Sequence, residues 1–148
     1  MRIIIDLQGI QSEGSRSRGI GRYSLSIIKN IIHYSKNNEI ILAANAALDS
    51  CKIEFFDELK LPNVIYYDWY ASCPLSYLSR EDSKFEIGIY LRSYAFACLH
   101  ADCVLMTSFL EGFTDNCLIE IDKDICSIPI VSIFYDLIPL LNPDLYLN

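Results

Sequence analysis

The chain contains 148 residues, of which 52% are hydrophobic and 21% charged, and its formal net charge at pH 7 is −7. This composition can bury one hydrophobic core and excludes a disordered chain, while the negative charge argues against a nucleic-acid-binding protein. No apolar run reaches the roughly 18 residues of a membrane-spanning helix, and residues 1–8 do not resemble a signal peptide, so we expect a cytoplasmic protein.

Five apolar, mostly β-branched runs predict buried strands at residues 3–5, 40–44, 64–67, 103–106 and 128–134. Between the first two runs, Ile20, Ile27, Ile28 and Ile31 recur at helical spacing and predict a long helix that begins near Gly19.

A second long helix is predicted between the third and fourth strands. Ser79 and Asp82 resemble a capping box at its start. Weaker patterns favour shorter helices at residues 49–61 and 116–123. The apolar residues that set the helical spacing of the second long helix are Ile87, Leu91, Tyr94, Ala95 and Cys98.

The alternation of strands and helices predicts an α/β domain with a doubly wound, mainly parallel sheet of the Rossmann-like kind. Ligands of such sheets bind beyond the carboxyl ends of the strands. We therefore expect the functional positions at residues 6–21, at Asp68, and at residues 107–112 and 135–139.

The loop before the first long helix is the most specific motif. It holds Arg16, Arg18 and Arg22 together with Gly19 and Gly21. Residues 1–36 contain six basic and two acidic side chains, whereas the rest of the chain contains six basic and seventeen acidic ones. A helix amino terminus with arginines beside it favours a phosphate group, although a mobile loop with solvated arginines remains an alternative.

Two other readings of these motifs are disfavoured. A dinucleotide-binding fingerprint requires a third glycine where Ser24 stands and a direct turn from strand to helix. A phospho-receiver site would need a lysine where Tyr135 stands, and a second acidic residue beside Asp6. Asp6 is instead interpreted as a residue that orients the loop. The six cysteines have no metal-ligand spacing, so we expect free thiols and no metal site.

Three separated blocks resemble family 4 glycosyltransferases, in particular the amino-terminal half of bacterial mannosyltransferases that build lipopolysaccharide O-antigen or capsular chains. The blocks are residues 2–9 (RIIIDLQG), 18–24 (RGIGRYS) and 135–139 (YDLIP), and residues 108–112 (SFLEG) and 140–144 (LLNPD) add to the resemblance.

The resemblance implies one half of a two-domain GT-B architecture, retention of anomeric configuration and no metal. Residues 1–148 would form the acceptor-side domain, and a carboxy-terminal domain outside this chain would bind the nucleotide-diphosphate sugar, with GDP-mannose as the implied donor. The partners would be this donor and a saccharide acceptor, with association at the inner face of the membrane left open. The isolated domain would bind no cofactor and would be inactive.

Residue by residue, the resemblance assigns Gly19, Gly21 and Arg22 to a loop that closes over the donor diphosphate. Many relatives carry a histidine near the transferred sugar where this chain has Tyr135, which cannot be a cation near neutral pH. The residues expected at the catalytic position are Tyr135 and Asp136, and those expected to bind the acceptor are Arg18, Tyr23, Ser108 and Glu111.

Two alternatives to this function stay open at the level of sequence. One is a complete α/β signalling or nucleotide-binding module, for which Asp68 would be the phosphoacceptor in a receiver-like version. The other is a subunit that pairs with a separate donor-binding chain. The apolar stretch at residues 137–145 leads us to expect one domain of a longer protein, because such a stretch normally packs against something.

Overall fold

A computed structural model describes residues 1–71, 82–109, 115–135 and 141. Within these ranges, the strands are β1 (Arg2–Asp6), β2 (Glu39–Asn45), β3 (Val64–Trp69), β4 (Cys103–Met106) and β5 (Ile130–Ser132). The helices are α1 (Gln8–Gln11), α2 (Gly19–Tyr34) and α3 (Ser83–Cys98), with short 3₁₀ turns at Lys52–Phe55 and Glu58–Lys60.

The five strands form one parallel sheet in the order β3-β2-β1-β4-β5. Parallel strands require crossover connections, and α2 and α3 supply them between β1 and β2 and between β3 and β4. The predicted doubly wound α/β class is therefore confirmed. Strands β2 and β3 are added to one side of β1, and β4 and β5 are added to its other side. The order of addition therefore reverses between β1 and β4, which is the position where such folds bind ligands.

A hydrophobic core lies on each face of the sheet. On one face Ile28 and Ile32 of α2 pack with Ile5, Leu42 and Phe55. Because α2 begins at Gly19, the helix predicted from the isoleucine spacing is confirmed together with its start.

On the opposite face Phe96 of α3 packs with Ile4, Trp69, Val104 and Met106. Burial on both faces explains why the central strands are apolar along their whole length.

Helix α3 is confirmed, but its apolar stripe faces outward rather than toward the core. Ile87, Leu91 and Tyr94 are 44%, 40% and 64% exposed, whereas Arg92 is completely buried. The sequence pattern could not show which face of α3 is buried, because an arginine is expected to face water unless it has a buried hydrogen-bonding or charged partner. The buried residues of this helix are Phe85, Gly88, Arg92, Ser93 and Phe96.

The start of α3 also differs from the prediction. Asp82 is the N-cap and accepts a hydrogen bond from the Lys84 amide at 2.8 Å. Ser79, which was expected to occupy this role, lies outside the described residues. His100 follows the helix with φ of +49°, a left-handed conformation that suits the end of a helix.

The two edge strands are only partly buried, because each has a neighbour on one side only. Ile65 of β3 is 45% exposed and Val131 of β5 is 54% exposed. Strand β5 is also shorter than the predicted run at residues 128–134.

Two weak helix predictions were wrong. Residues 49–61 form two 3₁₀ turns. Residues 116–123 form no helix, because some of their backbone amides donate to side chains of other elements instead of to helical carbonyl groups. Gln8 Oε1 accepts from the Leu118 amide at 2.8 Å, and Ser93 Oγ accepts from the Asp122 amide at 2.8 Å.

Candidate ligand site at the switch point

The crevice between the carboxyl ends of β1 and β4 is closely packed at its base. A Cβ atom on Gly9 would lie 2.9 Å from Thr107 Oγ1 and 3.0 Å from Ser108 Cβ, so a larger residue there would force these side chains to move. Ser108, expected to bind the acceptor, lies at the predicted edge but is only 4% exposed. The side chains that a ligand could reach therefore belong to the rim, where α2 begins.

The two glycines at the start of α2 have different roles. A Cβ on Gly21 would lie 2.5 Å from the Ser15 carbonyl oxygen and 2.6 Å from Arg16 Cα, so this glycine lets the helix pack against the preceding loop. Gly19 has no atom within 4 Å of the corresponding position and is exposed. Gly21 is thus needed for the fold, while Gly19 leaves an open approach to the helix terminus.

The three loop arginines also differ. Arg16 forms an ion pair with Asp49, and the hydrogen bond that Arg16 donates to this carboxylate raises the pKa of Arg16. Arg22 is exposed and donates a hydrogen bond from Nη2 to the Ser17 carbonyl oxygen at 3.2 Å. Arg18 is the exposed N-cap residue of α2, and no side-chain cap satisfies this terminus. Arg18 and Arg22 are therefore the cations that face solvent at the start of the helix.

Tyr135 contacts residues of α2 and of the segment after β4. Its hydroxyl donates to the Thr107 carbonyl oxygen at 2.9 Å and lies 2.8 Å from Ser24 Oγ. Its ring makes an edge-to-face contact with the ring of Tyr23, with centroids 5.6 Å apart. The structure thus brings Tyr23 and Tyr135 together.

A buried ion pair supports the site from below. Arg92 Nη2 of α3 lies 3.0 Å from Asp6 Oδ2 at the end of β1, and the two side chains are 0% and 2% exposed. Burial raises the pKa of Asp6 more than the neighbouring Arg92 charge lowers it. Arg92 Nη1 also donates to the Glu120 carbonyl oxygen at 2.8 Å. Asp6 therefore anchors α3 and residues 115–122 to the centre of the sheet.

Gln8 and Asn45 extend this network across the carboxyl ends of β1 and β2. Gln8 Nε2 donates to the Leu118 carbonyl oxygen at 2.7 Å and to Asp6 Oδ2 at 3.2 Å. Asn45 Nδ2 donates to Gln8 Oε1 at 2.9 Å and to the Asn116 carbonyl oxygen at 2.8 Å. These contacts hold the turn after β1 in one conformation.

Sequence reasoning missed Arg92, Gln8 and Asn45. Of these, only Arg92 carried a usable signal, a charged residue between apolar positions of a predicted helix. Glu111 and Asp136, expected at the acceptor and catalytic positions, lie outside the described residues.

The described part of the chain has no cluster of three or more His, Cys, Asp or Glu side chains that could hold a metal ion. None of its helices combines the length and the apolar character needed to cross a membrane. All cysteines in the described ranges are free thiols.

The fold and the site define an α/β domain whose ligand edge combines a cationic helix terminus with two tyrosines. The chain is 31% identical to the serotype-specific mannosyltransferase WbdA of Escherichia coli over 154 aligned residues. The match covers all of this chain but 18% of that protein, so the chain spans about a fifth of its relative. No family model and no solved structure matches the chain.

Proposed function

We propose that this chain is the acceptor-side domain of a retaining glycosyltransferase of family 4, which moves mannose from GDP-mannose to a growing O-antigen or capsular polysaccharide. The observation that carries the proposal is the 31% identity to the mannosyltransferase WbdA along the whole chain. The parallel sheet with its switch point between β1 and β4 is compatible with one half of a GT-B enzyme.

Cleavage of a nucleotide-diphosphate sugar leaves negative charge on the departing phosphate, so cations beside that oxygen stabilise the transition state. Arg22 and Arg18 supply two exposed guanidinium groups at the amino terminus of α2, where the helix dipole also favours an anion. The open space at Gly19 lets a diphosphate approach this terminus. We assign the donor-phosphate role to Gly19 and Arg22, with Gly21 shaping the loop, and Arg18 keeps the acceptor-binding role expected from the sequence.

The acceptor would lie on the tyrosine side of the same edge. Tyr23 is 54% exposed and available for contact with a saccharide. The Tyr135 hydroxyl already donates to Thr107, so Tyr135 contributes by positioning and by accepting hydrogen bonds rather than by protonating the substrate. Glu111 and Asp136 remain candidates for binding acceptor hydroxyl groups.

In this proposal the donor sugar is held by a second, carboxy-terminal domain, and transfer requires both domains to close. The anomeric carbon exchanges its bond to the diphosphate for a bond to the acceptor oxygen, and GDP and the hydroxyl proton are released. The site would work on the cytoplasmic side of the cell membrane, where the protein associates with the surface without spanning it.

A receiver-like signalling module is not favoured. Receiver domains have the strand order 2-1-3-4-5, which places the third strand beside the first. Here β2 separates β3 from β1, and Asp68 of β3 lies exposed at the outer edge of the sheet, away from Asp6.

The test is a transfer assay with the natural protein that carries this sequence. A panel of nucleotide sugars, including GDP-mannose and UDP-glucose, is incubated with a mannose-terminated oligosaccharide, and nucleotide release and product mass are measured. We expect an added mannose and release of GDP that depends on the acceptor. Failure to transfer sugar from any donor would refute the glycosyltransferase proposal, and transfer from another donor would refute the mannosyl assignment.

A further inference from the structure

The loop at residues 12–18, which joins α1 to α2, is folded on itself. The Arg16 amide donates to the Ser12 carbonyl oxygen at 2.8 Å. The Ser15 carbonyl oxygen accepts from the Gly21 amide at 3.1 Å, in the first turn of α2. The position of the helix start therefore depends on the position of this loop.

A carboxylate from a distant segment holds the loop. Asp115 Oδ2 accepts from the Ser12 hydroxyl at 2.7 Å and from the Glu13 amide at 3.2 Å. Its other oxygen, Oδ1, accepts from the Cys117 amide at 3.0 Å. Ser12 is only 2% exposed and lies 103 residues from Asp115 in the chain. Because hydrogen bonds to a charged group are stronger than neutral ones, Asp115 fastens the loop to the segment between β4 and β5.

A second carboxylate reaches the same loop through a side chain. Asp49 forms an ion pair with the Arg16 guanidinium, and the two side chains are 72% and 42% exposed. An exposed ion pair contributes little to stability, so this contact should matter less for the conformation of the loop. Asp49 and Asp115 therefore place similar charges beside one cationic loop, but the Asp115 carboxylate also bonds to its backbone.

We propose that Asp115 is a positioning residue: its hydrogen bonds to the loop hold the start of α2, with Gly19 and Arg22, where a diphosphate can reach it. This inference rests on the proposed glycosyltransferase function, and it adds the group on which the geometry of the donor-phosphate loop depends. Asp115 acts through the loop and not by contact with the ligand. Because the loop is ordered before a ligand arrives, less conformational entropy is lost on binding.

The first experiment is calorimetric titration with inorganic pyrophosphate at fixed ionic strength, using the natural protein that carries this sequence and its Asp115→Ala and Asp49→Ala variants. Each substitution removes one negative charge beside the loop, which by charge alone would strengthen anion binding. We expect Asp115→Ala to do the opposite and to raise the Kd about threefold to tenfold, because the loop loses its anchor. Asp49→Ala should leave the Kd unchanged or lower it.

Hydrogen exchange of peptides within residues 12–22 gives a second readout that requires no ligand. Asp115→Ala should speed their exchange about tenfold or more, the effect of losing one hydrogen bond to a charged group. Asp49→Ala should stay within about twofold of the wild type. Ser12→Ala removes one donor and keeps the carboxylate. This milder variant should change exchange and Kd in the same direction as Asp115→Ala, and it serves as the test if Asp115→Ala does not fold.

Tighter pyrophosphate binding by Asp115→Ala, or an equal change in the two Asp→Ala variants, would mean that Asp115 acts by charge alone and would overturn its positioning role. Unchanged loop exchange in Asp115→Ala and Ser12→Ala, or a wild type that does not bind pyrophosphate, would overturn it as well. The proposed function fails separately, in the transfer assay: a protein that binds pyrophosphate through this loop but transfers no sugar would keep the role of Asp115 and lose the enzyme.

Discussion

The guanidinium of Arg92 lies 3.0 Å from the carboxylate of Asp6, and both side chains are shielded from water. This pair connects the outer helix α3 to the end of the central strand β1, directly below the candidate site. Asp6 Oδ1 and Arg92 Nε lack hydrogen-bond partners among the described residues, so the burial of the two charges is compensated by the ion pair together with the bonds from Gln8 and to Glu120.

Removal of the Arg92 guanidinium should destabilise the folded protein, because it leaves the Asp6 carboxylate buried without its partner. We expect Arg92→Leu to lower the free energy of unfolding by about 3–5 kcal/mol in denaturant titrations. Adding Asp6→Asn to Arg92→Leu should recover part of this loss. The exposed pair of Lys60 and Asp57 provides a control, and Lys60→Ala should leave the unfolding midpoint unchanged. Equal effects of Arg92→Leu and Lys60→Ala would contradict the structural role of the buried pair.

The same variant should show a characteristic dependence on pH. Burial already raises the pKa of Asp6, and removal of Arg92 should raise it further. A carboxyl whose folded pKa is raised contributes stability below its unfolded value of about 3.9, and this contribution is lost as the pH rises through the folded value. The deficit of Arg92→Leu relative to the wild type should therefore shrink as the pH falls from 7 toward 4. A deficit independent of pH would mean that lost packing, rather than charge, destabilises the variant.

Replacement of Gly19 or Gly21 in α2 by alanine adds one methyl group, and we expect the two replacements to differ in their effect on stability. Gly21→Ala places Cβ within 2.7 Å of three backbone atoms, which must move, so we expect a loss of about 1–3 kcal/mol in unfolding free energy. Gly19→Ala meets open space and should change stability by less than about 0.5 kcal/mol. If a diphosphate approaches Gly19 closely, as proposed, Gly19→Ala should still weaken binding of the sugar donor. Equal stability of the two variants would contradict the packing assigned to Gly21.

Much of this fold could be predicted from its sequence. The β-branched runs gave four strands close to their true bounds, and the spacing of Ile20, Ile27, Ile28 and Ile31 gave α2. These features could be read because local apolar periodicity reflects burial directly. The inner face of α3 could not be read, because it depends on a contact between Arg92 and Asp6, 86 residues apart.

For the candidate site, the sequence predicted a position, and the roles of its residues stay predictions. The rule that ligands bind at the carboxyl ends of parallel strands located Gly19 and Arg22 at the start of α2. The partners of Tyr135 were not predictable, because Ser24 and Thr107 meet it only after two crossovers have placed α2, β4 and β5 side by side.

Removal of the Tyr135 hydroxyl tests its positioning role. We expect Tyr135→Phe to fold and to lose about 1 kcal/mol of stability, because one hydrogen bond to the Thr107 carbonyl disappears while Ser24 remains within 3.3 Å of that oxygen. Under the proposed transfer activity, the KM for acceptor should rise more than kcat falls, since Tyr23 loses part of its support. A large fall in kcat with an unchanged KM would assign the hydroxyl directly to the chemistry.

The cysteines should differ in reactivity. Burial raises the pKa of Cys51 to about 11, whereas Cys98 is exposed. In alkylation followed by peptide mass spectrometry at pH 8, Cys98 should be modified well before Cys51. Because the folded state holds the Cys51 proton more tightly than the unfolded state, the associated stability should decline between about pH 8.5 and pH 11. That decline should be absent from Cys51→Ala. Modification of Cys51 at the rate of Cys98 would show that this core opens readily.

In the proposed function, the cationic start of α2 acts on the phosphate of a sugar donor. The most direct measurement is the rate of mannosyl transfer from GDP-mannose by the natural protein that carries this sequence, compared with its Arg22→Ala variant and with Lys36→Ala, which changes an exposed cation just beyond the far end of α2. We expect a fall of about a hundredfold or more in kcat for Arg22→Ala and no change for Lys36→Ala. Wild-type turnover by Arg22→Ala would contradict it.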